Sequence, residues 1–148
     1  MNECKKLASN LEVNNHIDFL GFRKDIDLLL PICDIAVASS LREGLPVNIM
    51  EAMACGLPVV ATENRGHSEL VVNQINGFTV STEDKHLFAE RLVELYQSKE
   101  LLTKLAEGSL ALVKKYSLQQ TTKELTEIYS SYMEEQNEAK SQHHRAYL

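Results

Sequence analysis

Two compact apolar runs, Ile35-Ala36-Val37-Ala38 and Pro58-Val59-Val60-Ala61-Thr62, flank a segment of helical apolar periodicity that starts at a proline and stops at a glycine. Runs this short and this apolar read as strands covered on both faces, as in a parallel sheet. Parallel neighbours need a crossover, and the segment between them supplies a helical one. Pro46 suits the helix start, where a missing N–H costs nothing, and Gly56 suits its C-terminal cap. The expected fold is α/β, a parallel sheet flanked by helices.

The remaining segments fit that pattern. Residues 1–11 read as a helix, with Cys4, Leu7, Ala8 and Leu11 at helical spacing. Ile17-Asp18-Phe19-Leu20 reads as a strand stopping at Gly21, and a brief helix from Asp25 through Leu30 is ended by Pro31. After a polar loop closed by Gly66, residues 67–72 read as a short helix, and Asn76-Gly77 turns into a strand at Phe78-Thr79-Val80. Three helices follow, over 85–97, 99–115 and 118–134. The last opens on Ser117-Leu118-Gln119-Gln120, a capping-box pattern. Its Leu118, Thr122, Leu125, Ile128, Tyr129 and Tyr132 make one apolar face that calls for a packing partner. Residues 1–134 are thus read as one structured unit and 135–148, polar and aperiodic, as a disordered tail.

Two carboxylates bracket the central turn. Glu43 precedes Gly44-Leu45-Pro46, and Glu51 falls on the helix itself. Val47, Met50, Glu51 and Ala54 share one face while Ile49, Ala52 and Met53 line another, so the helix reads as buried nearly all round. A buried carboxylate needs hydrogen-bond donors, and a vicinal diol such as a ribose offers two hydroxyls to its two oxygens. In parallel sheets ligands bind at the C-terminal ends of the strands. Glu43, residues 64–66 and residues 21–23 all follow predicted strands, so one rim should collect them.

Composition narrows the partners. The chain has 148 residues, 44% of them hydrophobic, and a formal net charge of −6. That suits a single domain with a proper core, and argues against a nucleic-acid surface. Cys4, Cys33 and Cys55 show no metal-ligand spacing and are expected as reduced thiols, the latter two buried. His143 and His144, adjacent in the polar tail, lack a third ligand, and His67 reads as a surface loop residue. No apolar run reaches membrane-spanning length and no signal peptide leads the chain, so a cytoplasmic setting is expected.

The blocks now become recognisable. Glu-Gly-Leu-Pro-Val-Asn-Ile-Met-Glu-Ala-Met-Ala-Cys-Gly-Leu-Pro-Val-Val-Ala-Thr, residues 43–62, resembles the donor-site motif of retaining nucleotide-sugar glycosyltransferases with two Rossmann-like domains, the GT-B type. Phe19-Leu20-Gly21, Asp34-Ile35-Ala36-Val37 followed by Ser40, Gly66-His67-Ser68-Glu69, and Asn76-Gly77-Phe78 resemble further blocks of that family in the same order. The similarity runs over residues 1–132, and the wording around Glu43 resembles bacterial exopolysaccharide members.

The resemblance implies a Rossmann-like, C-terminal donor-binding domain lacking its first βα units. It implies that Glu51 binds the ribose hydroxyls and that Glu43, the catalytic candidate, sits against the donor hexose. Backbone N–H groups of Gly44, Leu45, Val47 and Asn48 would face sugar and diphosphate, as helix N-termini do. Ser40 and Gly66 join the donor-binding set, and Gly21, Phe22 and Arg23 are candidates for the base pocket. The family chemistry implies no metal and no cofactor besides the nucleoside-diphosphate sugar. The family's Arg/Lys pair and its N-terminal acceptor domain match no part of this chain; Arg42 and Arg65 stand near the motif but at other positions. The implied partners are a nucleotide sugar, that acceptor domain and a membrane-associated glycan acceptor, with no nucleic acid. The setting is cytoplasmic or peripheral at the inner membrane face.

The expected activity is transfer of a hexose with retention to a glycan or lipid-linked acceptor, this chain supplying the donor-binding part. The alternative is a non-catalytic nucleotide-sugar-binding fragment or subunit that needs a partner. A nucleotide-sugar 2-epimerase ranks lower because its further carboxylates and histidines are not found. An oxidoreductase fails because no G-x-G-x-x-G follows a predicted strand.

Overall fold

A computed structural model describes the backbone of residues 2–145 and the side chains through Gln136. Helix α1 spans Asn2–Asn10 and α2 spans Ile26–Leu29. Strand β1 (Ala36–Ala38), helix α3 (Val47–Ala54) and strand β2 (Val59–Thr62) form the expected strand-helix-strand unit. Helix α4 (Arg65–Leu70) leads to β3 (Gly77–Val80), and α5 (Lys85–Gln97), α6 (Lys99–Val113) and α7 (Leu118–Arg145) follow. The sheet order is β1-β2-β3 and both pairings are parallel.

Strand alternation divides the core. Ala38, Val59 and Ala61 pack with Ile49 and Met53 of α3 and with Leu70 and Val71 at the end of α4. On the opposite face Val60, in register with Phe78, packs with Leu95 of α5 and Leu105 of α6. Side chains of adjacent strand residues point to opposite faces, so the central strand β2 is buried along its whole length. Asp84 caps α5 by accepting from Leu87 N at 2.9 Å, and Ser98 caps α6 by accepting from Leu101 N at 3.2 Å. Gly56 has φ +74° just beyond α3, the left-handed cap that its position in the sequence implied. Asn76 is fully buried: its Nδ2 donates to Leu70 O at 3.0 Å and its Oδ1 accepts from Val72 N at 2.7 Å. This closes the turn into β3.

Several expectations are corrected. Residues 17–20 form no ladder with any described strand, because an apolar run becomes a strand only when a neighbour completes its hydrogen bonds. Pro31 does not end the second helix outright. It sits in a 3₁₀ turn over Leu30–Ile32, where a proline without N–H is tolerated. Helix α4 starts at Arg65, capped by Asn64, so Gly66 lies in its first turn and does not close a loop. Cys33 and Cys55 are exposed, Cys33 beside the open edge of β1 and Cys55 at the end of α3. The capping box of α7 is half made: Ser117 Oγ accepts from Gln120 N at 3.2 Å, but the Gln120 amide turns to Glu124.

The apolar stripe of α7 is exposed throughout, with Leu118 at 83% and Ile128 at 64% of full exposure. Its helical backbone continues through Arg145, past Glu134 where the periodicity stops. The added residues include good helix formers and no Gly or Pro. The side chains of residues 137–148, His143 and His144 among them, lie outside the described residues.

Candidate functional site

The chain leaves β1 at Ser39 and Ser40, turns through Leu41 to Pro46, and enters α3 at Val47. Pro46 holds the cap position in extended conformation (φ −73°, ψ 111°), and no side chain caps the helix. Its carbonyl accepts from Ile49 N at 3.2 Å and Met50 N at 3.3 Å. The N–H groups of Gly44, Leu45, Val47 and Asn48 have no acceptor among the described residues. Four free N–H groups at a helix start, where the peptide dipoles present positive charge, form a surface suited to an anion.

Helix α3 is not buried all round. Ile49, Ala52 and Met53 face the core, whereas Val47, Glu51 and Ala54 are exposed and Met50 is half-buried. Glu51 therefore stands on the open face, and the expectation of a buried carboxylate is overturned. Amphipathic spacing reports which residues share a face, but not whether that face meets the core or a cleft. Glu43 is half-buried in the turn. Neither carboxylate makes a hydrogen bond or ion pair among the described residues, and neither do Arg42 and Arg65.

Gly66 holds this turn by contact. A Cβ at Gly66 would lie 2.5 Å from Gly44 O and 2.9 Å from the Glu43 carbonyl carbon. Behind the turn lies a polar network. Ser40 O accepts from Thr62 Oγ1 at 2.7 Å and from Asn64 Nδ2 at 2.9 Å. Asn64 Oδ1 accepts from His67 N at 3.0 Å, and His67 Nδ1 lies 2.6 Å from Thr62 O. His67 is 1% exposed, contrary to its reading as a surface residue. Its ring satisfies a carbonyl 5 residues away in sequence, a tertiary demand invisible to local pattern.

The structure thus brings together Ser40, Glu43, Gly44, Asn64 and Gly66. A cleft of about 250 Å³ adjoins them at the C-terminal ends of all three strands, lined by Ser39, Leu41, Thr62, Ser81, Thr82 and Asp84 among others. Residues 21–23 are not hydrogen-bonded to this turn. Gly21 has φ +68°, Phe22 is 87% exposed, and Arg23 grips Asp25 through Nε (2.7 Å) and Nη2. That guanidinium holds the Asp25 carboxyl below its ordinary value. Glu69 is engaged structurally, accepting from Tyr116 Oη at 3.3 Å and facing Lys115 Nζ at 3.8 Å. Among the described residues no three His, Cys, Asp or Glu are grouped to hold a metal, and no helix is long and apolar enough to cross a membrane.

This geometry has close counterparts. The family model for glycosyl transferases group 1 matches residues 2–110. EpsD of Bacillus subtilis (strain 168), which carries a glycosyltransferase name, is 40% identical over 135 residues, covering 91% of this chain and 35% of EpsD. An Escherichia coli enzyme named UDP-Gal:alpha-D-GlcNAc-diphosphoundecaprenol alpha-1,3-galactosyltransferase is 33% identical over 102 residues, 68% of this chain and 26% of that one. Among solved structures, HepE of Anabaena in complex with UDP superposes with a TM-score of 0.83 at 29% identity, covering 88% of this chain and 36% of HepE. The chain thus spans about a third of the length of such relatives, and the Rossmann-like GT-B architecture expected from the motif is the one they share. With its glutamate motif, parallel sheet and helix start in the matched region, the chain belongs to the group 1 glycosyl transferases.

Proposed function

We propose that this chain is the donor-binding part of a retaining glycosyltransferase, which moves a hexose from a nucleoside-diphosphate sugar to a glycan or lipid-linked acceptor. The observation that carries the reading is the set of four unbonded N–H groups between two unpaired carboxylates. They would receive the diphosphate, and their partial positive charge would stabilise the pair of electrons the leaving phosphate takes from the anomeric bond. Glu51, one turn along α3 and exposed, would accept from the two ribose hydroxyls. Glu43 would hold the hexose and stabilise positive charge at its anomeric carbon. No metal enters this scheme, so a chelator should leave donor binding unchanged. HepE, crystallised with UDP and with UDP-glucose, supports a uridine nucleotide as the first probe. The diphosphoundecaprenol substrate in the E. coli relative's name supports a lipid-linked acceptor.

The second reading is a nucleotide-sugar binder that transfers nothing by itself, favoured by the match to only a third of its relatives. Calorimetric titration of the chain with UDP and ADP tests both. Glu51→Ala should weaken binding about tenfold or more, as expected for losing hydrogen bonds to a charged group. No binding at millimolar nucleotide would defeat both readings. Transfer of sugar by the isolated chain would select the first over the second.

A further inference from the structure

His67 is the one buried titratable side chain among the described residues, and the proposed sugar transfer gives it no task. We propose that His67 is a positioning residue for the Glu43-Gly44 turn, its ring donating Nδ1–H to Thr62 O. The inference rests on the donor-site reading above.

The shorter contact, to Thr62 O, favours one tautomer. Thr62 O can only accept, and two lone pairs at 2.6 Å would repel, so the proton lies on Nδ1. Asn64 Nδ2 is also near the ring, at 2.9 Å; its orientation is set by Oδ1 accepting from His67 N, and one of its two hydrogens goes to Ser40 O. The Thr62 hydroxyl likewise serves Ser40 O at 2.7 Å, leaving its 3.4 Å approach to the ring as a contact only.

The cluster acts on the turn from both ends. Ser40, three residues before Glu43, is pinned through its carbonyl by Thr62 and Asn64. Gly66 abuts Gly44 O on the far side. His67 joins the two anchors: its backbone N–H orients the Asn64 amide, and its ring N–H holds the carbonyl of Thr62. Without the ring, Thr62 O is left unpaired in a buried site, and the segment that clamps residues 40–44 can shift. Positioning errors well under the length of a bond pair are enough to weaken a preorganised site.

Calorimetry with UDP on the chain and its H67A, H67N and H67Q variants provides the test, each variant accompanied by a thermal melt. Asparagine places an amide donor near the position of Nδ1, whereas glutamine carries it one bond further, toward Nε2. H67A should bind UDP about tenfold more weakly, H67N should recover to within about threefold of the parent, and H67Q should not recover. Nitrogen NMR of the labelled imidazole should find the proton on Nδ1. Recovery by H67Q in place of H67N, or a proton on Nε2, overturns the proposal. Unchanged affinity in H67A overturns it while leaving the donor reading intact. If the parent chain binds no UDP, the donor reading itself fails and this inference falls with it. Should H67A not fold, the contrast between H67N and H67Q decides alone.

Discussion

Gly66 shows how one residue ties the sheet to the glutamate turn. Any Cβ there meets Gly44 O at 2.5 Å and Glu43 at 2.9 Å, and both are backbone or near-backbone atoms that cannot swing aside. Gly66→Ala should therefore displace the turn, weaken UDP binding about tenfold, and cost about 1–3 kcal/mol of stability. Calorimetry and urea denaturation check the two effects separately; a variant that keeps full affinity would show that the turn tolerates movement. Local pattern marked Gly66 as the end of a polar loop, and the family resemblance added it to the donor-binding set; its contact with the turn was not legible, because close approach of two backbones is a tertiary fact. Glu43 and Glu51 were legible as a pair bracketing a turn, but their exposure was not. His67 was misread for the same reason as Gly66: its partner, Thr62 O, belongs to another element.

Helix α3 carries two opposed roles on two faces. Ile49, Ala52 and Met53 anchor it in the core, and its uncapped start is left free. A helix start without a cap forgoes about 1 kcal/mol of stability, which an anion-binding role would explain. Asn48→Asp should therefore have effects of opposite sign. The new carboxylate would satisfy the free N–H groups and stabilise the chain by about 0.3–1 kcal/mol, while repelling a diphosphate and lowering UDP affinity. A melt and a titration of the same variant read both; a rise in both quantities would contradict an anion site at α3. Helix α3 was readable because Pro46 and Gly56 mark its ends by local chemistry. The run at 17–20 was not, since extended residues reveal nothing about whether a neighbour is present.

The whole molecule exposes more surface than a compact monomer of its length. Its accessible surface is 11519 Å², where a compact monomer of this length exposes about 7,600 Å². Part of the excess lies on α7, where Leu125, Ile128, Tyr129, Tyr132 and Met133 stand clear, and part along the open edge of β1 with Ile32 and Val37. Such patches promote association. The double variant Ile128→Lys, Tyr132→Lys should reduce concentration-dependent self-association in sedimentation while leaving UDP affinity unchanged. Unaltered association would place the sticky surface elsewhere. The central claim, that a nucleotide diphosphate docks on the start of α3, is tested most directly by amide NMR of the labelled chain titrated with UDP. The amides of Gly44, Leu45, Val47 and Asn48 should shift most, with Gly66 following. Shifts absent from residues 43–51, or concentrated on α7, would contradict it.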